Sequence, residues 1–470
     1  MWPSCHQISA WCLKRAPVLI FVLALLVRLA VIFTTKTYLT IEHTEVINVA
    51  TSLATHGTFA DAYGPTGPTA HTSPLYPILL SLIFRLFGTG VPGEIVKEVS
   101  SSAIASLLYA ALPILSTACG LGLATGVVAG VGGALVPVNF WAETKGSFEA
   151  PLAGLVLVLF CIASARTWRS KDFSMRSALI VGSISGVGLL LSPNFAPITL
   201  TTLFLGYVLS GRANTKLYIR FVAIVLGIVV LCLTPWTIRN YVVLGGPVWA
   251  RSNLGLELYI ANNDIASANV SVNYMSHLFH RAHPLASAAE RAKVRTMGEL
   301  PYEHEKLATA EQWIKTHPRR FMVLTIQRMG YFWFPRMVRP AQTMLMGLFT
   351  VGAVAGLIRF LRSGNATAWL FLGVLISYSL IYYLVVPQPR YRYPVDWVLI
   401  FLTSFWICSS RYFLSLVGVL VSYSVIYYLV VPQPRYRYPI DWLLIFLTLF
   451  WMCSSRYFLR LERKVCNPVP

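Results

Sequence analysis

The chain has 470 residues, of which 56% are hydrophobic and only 12% charged, whereas ordinary soluble domains carry about 25% charged residues. With a mean hydropathy of +0.63, it has too few charges to cover a water-soluble fold of this length, which excludes a soluble multidomain enzyme, a secreted disulfide scaffold and a disordered chain. The formal net charge of +20 points, in a membrane protein, to basic cytoplasmic loops and not to nucleic acid.

Reading from the N-terminus, Lys14 and Arg15 precede the first apolar stretch, and no small-residue cleavage site follows it. The pattern predicts an uncleaved span. Further spans are predicted at 99–118, 121–138, 149–165, 177–192, 194–210, 220–238, 341–358, 366–386, 395–410, 414–431 and 440–455. With 17–34 these make an all-α polytopic membrane protein of about twelve transmembrane helices. Alternating spans place Arg166, Arg169, Lys171, Arg176, Arg212, Lys216, Arg220, Arg359, Arg362, Arg411 and the basic C-terminus on the side of Lys14. That side is the cytoplasm by the positive-inside rule, with both termini in it. The turn near 119–122 belongs there too but carries no charge.

The acids fall on the opposite side. Only Asp172 and Glu462, of 18 Asp and Glu, lie in the cytoplasmic segments. Two outer regions are long, 35–98 and 239–340. The stretch 75–87 is apolar but too short to span and holds Arg85, so it reads as a juxtamembrane helix at the outer interface. The organisation is therefore a core over 1–238 with its first outer loop, an extracytoplasmic region with interfacial helices over 239–340, and C-terminal helices over 341–470. Residues 372–414 recur at 417–459 with 36 of 43 positions identical. This is a tandem copy of one helical hairpin whose outer turn reads PQPRYRYP.

Candidate chemistry collects on the outer side. Val46, Val49, Ala50, Leu53 and Ala54 form one apolar stripe at helical spacing, in which Glu42 projects and at whose edge Glu45 sits. An acid on a buried face is costly unless something uses it. The ordinary alternative is a helix capped by Thr40 with acids suiting its N-terminus. The Pro- and Gly-dense run 65–77 fixes a loop shape and contains His71, read as a polar interface residue, and Tyr76. In the second outer loop Glu143 reads as a partner of Lys145, and Glu149 opens a span. Arg239 follows Pro235-Trp236 at the outer surface, where it either grips a phosphate or anchors the interface. Arg390 and Arg392, repeated as Arg435 and Arg437, lie in short outer turns. They break the positive-inside tendency, and paired guanidinium groups there can cradle a lipid phosphate. Arg28, the main charge inside a span, sits near enough to the outer end to snorkel.

In order, these pieces are an acid after the first span, PTAHTSPLYPILLSLIFRLFG, FEAPL, PWTIRNYVVLGG with LELYIANN, and RYRYP. The chain resembles the GT-C glycosyltransferases of the dolichyl-phosphate-mannose protein mannosyltransferase and lipid A aminoarabinose transferase superfamily, over roughly 17 to 400. The resemblance implies a GT-C-like bundle and transfer of a sugar from a polyprenyl-phosphate donor to a lipid, glycan or protein acceptor outside a bacterial inner membrane. It implies that Glu42 stands where the family has its first-loop acid, usually Asp, acting as base. Glu149 then matches the acid opening the fourth span, and the RYRYP arginines match the late basic motif near the donor phosphate. Glu45 joins these acids, with His71, Tyr76, Asn262 and Asn263 as substrate-loop residues. No cofactor is expected, and a divalent metal is left open. The rival reading is a transporter or lipid-linked saccharide flippase, against which stands the near absence of charge within the spans.

Overall fold

The computed structural model describes residues 15–136, 140–335 and 340–409. The predicted spans 414–431 and 440–455, the second hairpin copy, and with it Arg435 and Arg437, lie outside the described residues. Among the described residues the chain is helical. No β-ladder forms, and only isolated bridges join Ala60 to Pro68 and Ala62 to Gly64.

The ten predicted spans within the described residues each coincide with helix. The first is α1 (Ala16–Thr35), followed by α2 (Glu45–His56) and α3 (Leu75–Phe87) in the loop between spans. Then come α4 (Val91–Ala110) with its continuation α5 (Leu112–Ala118), α6 (Leu123–Leu135), the short α7 (Phe140–Lys145), α8 (Ala150–Ser170), α9 (Met175–Leu191), α10 (Phe195–Gly206) and α11 (Thr215–Leu244). The outer region folds as α12 (Leu254–Ala261), α13 (Val270–Met275), α14 (Leu278–Ala282), α15 (Ala288–Met297), α16 (Glu299–Thr316) and α17 (Pro318–Trp333). The bundle closes with α18 (Pro340–Arg362), α19 (Thr367–Leu384) and α20 (Pro389–Cys408). Six of the helical segments are long and apolar enough to cross a bilayer, and the chain is an integral membrane protein.

Packing follows residue size. α1 lies against α4 and α6, while α20 is wedged between α18, α6 and α8. Nearly every residue of α20 from Arg392 to Ser404 is buried, as expected of a helix that is apolar all round. A Cβ on Gly356 of α18 would lie 2.0 Å from the Leu402 carbonyl. Only glycine permits that approach, and small residues at helix interfaces are what membrane bundles use to bring backbones together. α11 has 30 residues, about 45 Å at 1.5 Å per residue. It outruns a hydrocarbon core of about 30 Å, so its C-terminal end with Trp236, Arg239 and Asn240 reaches into the outer region.

Hydrogen bonds separate two ends of the bundle. At one, Arg169 donates to the carbonyls of Thr117 at 3.1 Å and Ala118 at 3.2 Å, and Asn365 to Cys119 at 2.9 Å. The uncharged 119–122 turn thus borrows its positive charge from α8. The other end gathers the loops after α1, around α7, and between α11 and α18.

Two sequence expectations are corrected here. Arg28 does not snorkel: it is wholly buried. It pairs with Glu143 at 2.5 Å and donates to the carbonyls of Ala24, Gly133 and Ala134. Glu143 therefore does not pair with Lys145. It accepts instead from the hydroxyls of Tyr109 at 2.7 Å and Tyr393 at 2.9 Å. Lys145 binds Glu98 at 3.3 Å and the carbonyls of Thr37 and Thr40. The reason is geometric: α7 is helical, so residues two apart point away from each other.

Removing one member of a buried pair leaves an uncompensated charge and costs about 3–5 kcal/mol. Arg28→Leu alone is expected to lower the thermal midpoint in detergent sharply, and Arg28→Leu with Glu143→Leu to recover much of the loss. Scanning calorimetry of both variants checks this.

Candidate active site

The loop after α7 is the meeting point of the predicted residues. Its Ser147 hydroxyl donates to Glu42 Oε2, and its Gly146 carbonyl accepts the Tyr76 hydroxyl at 2.7 Å. The Thr44 hydroxyl donates to the Ser147 carbonyl at 3.5 Å. Glu42 precedes α2 instead of lying on its stripe, because the helix is capped by Thr44, whose hydroxyl accepts from the Ile47 amide. Thr40 is not the cap. Capping at Thr44 frees Glu42 to reach across to Ser147.

From the far end of the chain, Arg390 at the start of α20 stacks its guanidinium over the Phe148 ring, 3.8 Å from the centroid. It makes no ion pair among the described residues, and its buried Nε has no hydrogen-bond partner. Glu45 lies close enough to act on its charge. Glu149 follows Phe148 and faces Arg251 at 3.4 Å. The structure therefore brings Glu42, Glu45, Glu149, Tyr76 and Arg390 around one loop.

Other predicted residues are engaged as struts. Arg239 donates to the carbonyls of Phe59 at 2.6 Å and Thr69 at 2.7 Å and to Asn240 at 2.9 Å. Its guanidinium also lies over the rings of Phe59 and Trp236. Arg392 pairs with Asp396 at 2.6 Å and donates to the Trp333 carbonyl and the Thr350 hydroxyl. Asn262 accepts from Arg328 at 3.1 Å and donates to the carbonyls of Leu258 and Leu384, while Asn263 closes the turn after α12.

His71 is buried, with the Tyr63 hydroxyl 2.6 Å from its Nδ1, and its carbonyl accepts from Arg251 at 3.0 Å. Beside it His283 Nε2 faces Glu45 at 3.4 Å. The ligand atoms of Glu45, His71 and His283 lie within 4.8 Å of one another, a spacing that can hold a metal ion. The Leu285 amide donates to His283 Nδ1 at 3.1 Å, so neutral His283 carries its proton on Nε2, toward Glu45.

Four residues near this centre were not singled out from the sequence: Tyr63, Arg251, Glu257 and His283. Burial raises the Glu257 carboxyl above its ordinary value, with Arg251 and Arg390 opposing and Glu45 adding to the shift. Nothing in their local sequence marks Tyr63, Arg251 or His283. Glu257 stands inside LELYIANN and was available as an outer-side acid.

No family profile and no curated protein matches the chain. Solved structures do. The oligosaccharyltransferase of Archaeoglobus fulgidus in its apo form aligns over 90% of this chain and 55% of its own, with TM-score 0.53 and 15% identity. The same enzyme tethered to an acceptor peptide containing the NVT sequon aligns over 91% and 55%, with TM-score 0.52 and 15% identity. The archaeal oligosaccharyltransferase AglB with an inhibitory peptide and a dolichol-phosphate aligns over 91% and 55%, with TM-score 0.51 and 14% identity. The shared fold is GT-C-like. This chain spans about half the length of AglB, and the likeness concerns the fold.

Burial, with Arg251 and His283, holds His71 well below the usual 6.5. Burial and Arg390 hold His283 down against the pull of Glu45. A histidine with a lowered folded pKa takes up its proton more readily unfolded, so its contribution to stability is present above the unfolded value and lost as pH falls below it. The thermal midpoint is expected to fall as pH drops from about 7 to about 5, and His71→Gln to flatten that slope. Thermal unfolding across buffers reads this directly.

Proposed function

We propose that the chain is a membrane glycosyltransferase that moves a sugar from a polyprenyl-phosphate donor to an acceptor on the extracytoplasmic face of a bacterial inner membrane. In this reading it is related to the protein mannosyltransferase and aminoarabinose transferase group and keeps both termini in the cytoplasm. The observation that carries the reading is the meeting of Glu42 and Arg390 at the 146–149 loop, an acid and an ion-pair-free guanidinium at the same end of the bundle. The shared fold supports it, since AglB is an oligosaccharyltransferase whose structure was solved with a dolichol-phosphate.

The chemistry needs two groups. Glu42 takes the proton of the acceptor hydroxyl as its oxygen attacks the anomeric carbon. The bond from that carbon to the phosphate oxygen breaks, its electron pair leaves with the lipid phosphate, and Arg390 stabilises the charge that builds there. One displacement inverts the anomeric centre. Glu45 and Glu149 border the same loop and position the sugar hydroxyls. Arg390 supplies the positive charge, and the Nε2 proton of neutral His283, directed at Glu45, favours a reaction without a divalent ion.

Transport is the weaker reading because ionisable groups on a transport path face a cavity. Here Arg28 pairs with Glu143, Lys97 with Glu94, Lys145 with Glu98 and Arg392 with Asp396, all of them buried.

Purified protein given a panel of polyprenyl-phosphate sugars is expected to release free lipid phosphate. Glu42→Gln and Arg390→Gln should each lower that release by about 10²-fold or more, on the scale of a lost general base, with helicity unchanged. Release should persist in excess chelator. Wild-type turnover by Glu42→Gln would reject the base assignment.

A further inference from the structure

A second cleft opens on the outer region beside this centre. Its volume is about 170 Å³ and it lies between residues 247–255 and α16, well below the roughly 300–1,000 Å³ of sites for drug-sized ligands. Its polar lining is Trp249, Arg251, Ser252, Glu303 and His304, and apolar residues supply the rest.

Three features set it apart from a surface dent. Glu303 is 4% exposed, yet only its Oε2 is bound, accepting from the Leu256 amide at 2.9 Å. Its buried Oε1 has no hydrogen-bond partner. The site is built closely, because a Cβ on Gly255 would lie 2.1 Å from the Glu303 carbonyl. Burial, with Glu299 and Glu257 nearby, holds the Glu303 carboxyl well above its ordinary value against the two amides it accepts from. Trp249 is 50% exposed, presenting a flat apolar ring beside these polar groups.

Arg251 joins the cleft to the transfer centre. Its Nε donates to the His71 carbonyl at 3.0 Å and its Nη1 lies 3.4 Å from Glu149, so a molecule held against Arg251 sits next to the acids. A mixed set of donors and acceptors with one aromatic face suits a ring carrying several hydroxyls. It does not suit a free phosphate, because Glu149 already pairs with the single guanidinium.

We propose that this cleft is the acceptor subsite and takes one sugar ring, its apolar face on Trp249 and its hydroxyls on Glu303, His304 and Arg251. The word acceptor rests on the glycosyltransferase reading above, whereas ring binding is measurable without it. The test uses saturation-transfer NMR on the purified protein in a sugar-free detergent, with methyl α-mannoside, methyl α-glucoside and methyl N-acetyl-β-glucosaminide as probes. At least one glycoside is expected to bind the wild type. Trp249→Ala and His304→Ala, both at exposed side chains, should each weaken it tenfold or more at an unchanged thermal midpoint, and Glu303→Gln should retain it. Glycosides that do not bind, that bind both alanine variants as they bind the wild type, or that are displaced by inorganic phosphate overturn the proposal. Glycoside binding in a protein that releases no lipid phosphate would remove the transferase reading and leave the cleft a sugar site.

Discussion

The buried ion pair between Arg28 and Glu143 is the constraint on which the arrangement rests. Two charges taken out of water are costly unless geometry and extra hydrogen bonds satisfy them. Here three backbone carbonyls and two tyrosine hydroxyls do so. The pair fixes α7 against α1, and Tyr393 draws in the start of α20. Two residues further along, Lys145 ties the same short helix to Glu98 of α4 and to the first outer loop. The loop that follows has little freedom left, and it is the loop on which Glu42, Tyr76 and Arg390 converge.

Charge is thus used in two ways. Within the bundle it is matched, as with Glu94 and Lys97 or Arg392 and Asp396, and serves to register helices. At the outer end the acids outnumber their partners, and Arg390 rests on an aromatic face instead of a carboxylate. An unmatched guanidinium beside several carboxylates suits a site where negative charge arrives with a substrate and grows as a bond breaks.

The long α11 makes the outer end rigid. Its emergent end carries Trp236, which donates to the Ala250 carbonyl at 2.9 Å, Arg239, which grips two carbonyls of the first loop, and Asn240, which donates to Val248 at 2.8 Å. The PWTIRN stretch acts by holding the 59–69 loop and the 248–250 segment together. Glu299 adds to this, accepting from Thr69, Ala70 and Ser252. The PWTIRN stretch, whose Arg239 reads in the sequence as a phosphate grip or an interfacial anchor, is in the fold a scaffold for the residues that face the site.

Sequence alone determined the membrane class and the helices over the described residues, the short apolar helix 75–87 among them. Each follows from composition or from the length of an apolar run, quantities that need no neighbour. Tertiary structure alone decided which charges are spent. Arg28, Glu143, Arg239 and Arg392 look as available as Arg390 in one dimension, and their partners stand up to 250 residues away. It likewise decided that Thr44 caps α2, which turns Glu42 toward Ser147, and that Arg251 and His283 join the site from a region whose local pattern says nothing of it. A side chain's role depends on what its polar atoms touch, and those contacts form only when distant helices pack.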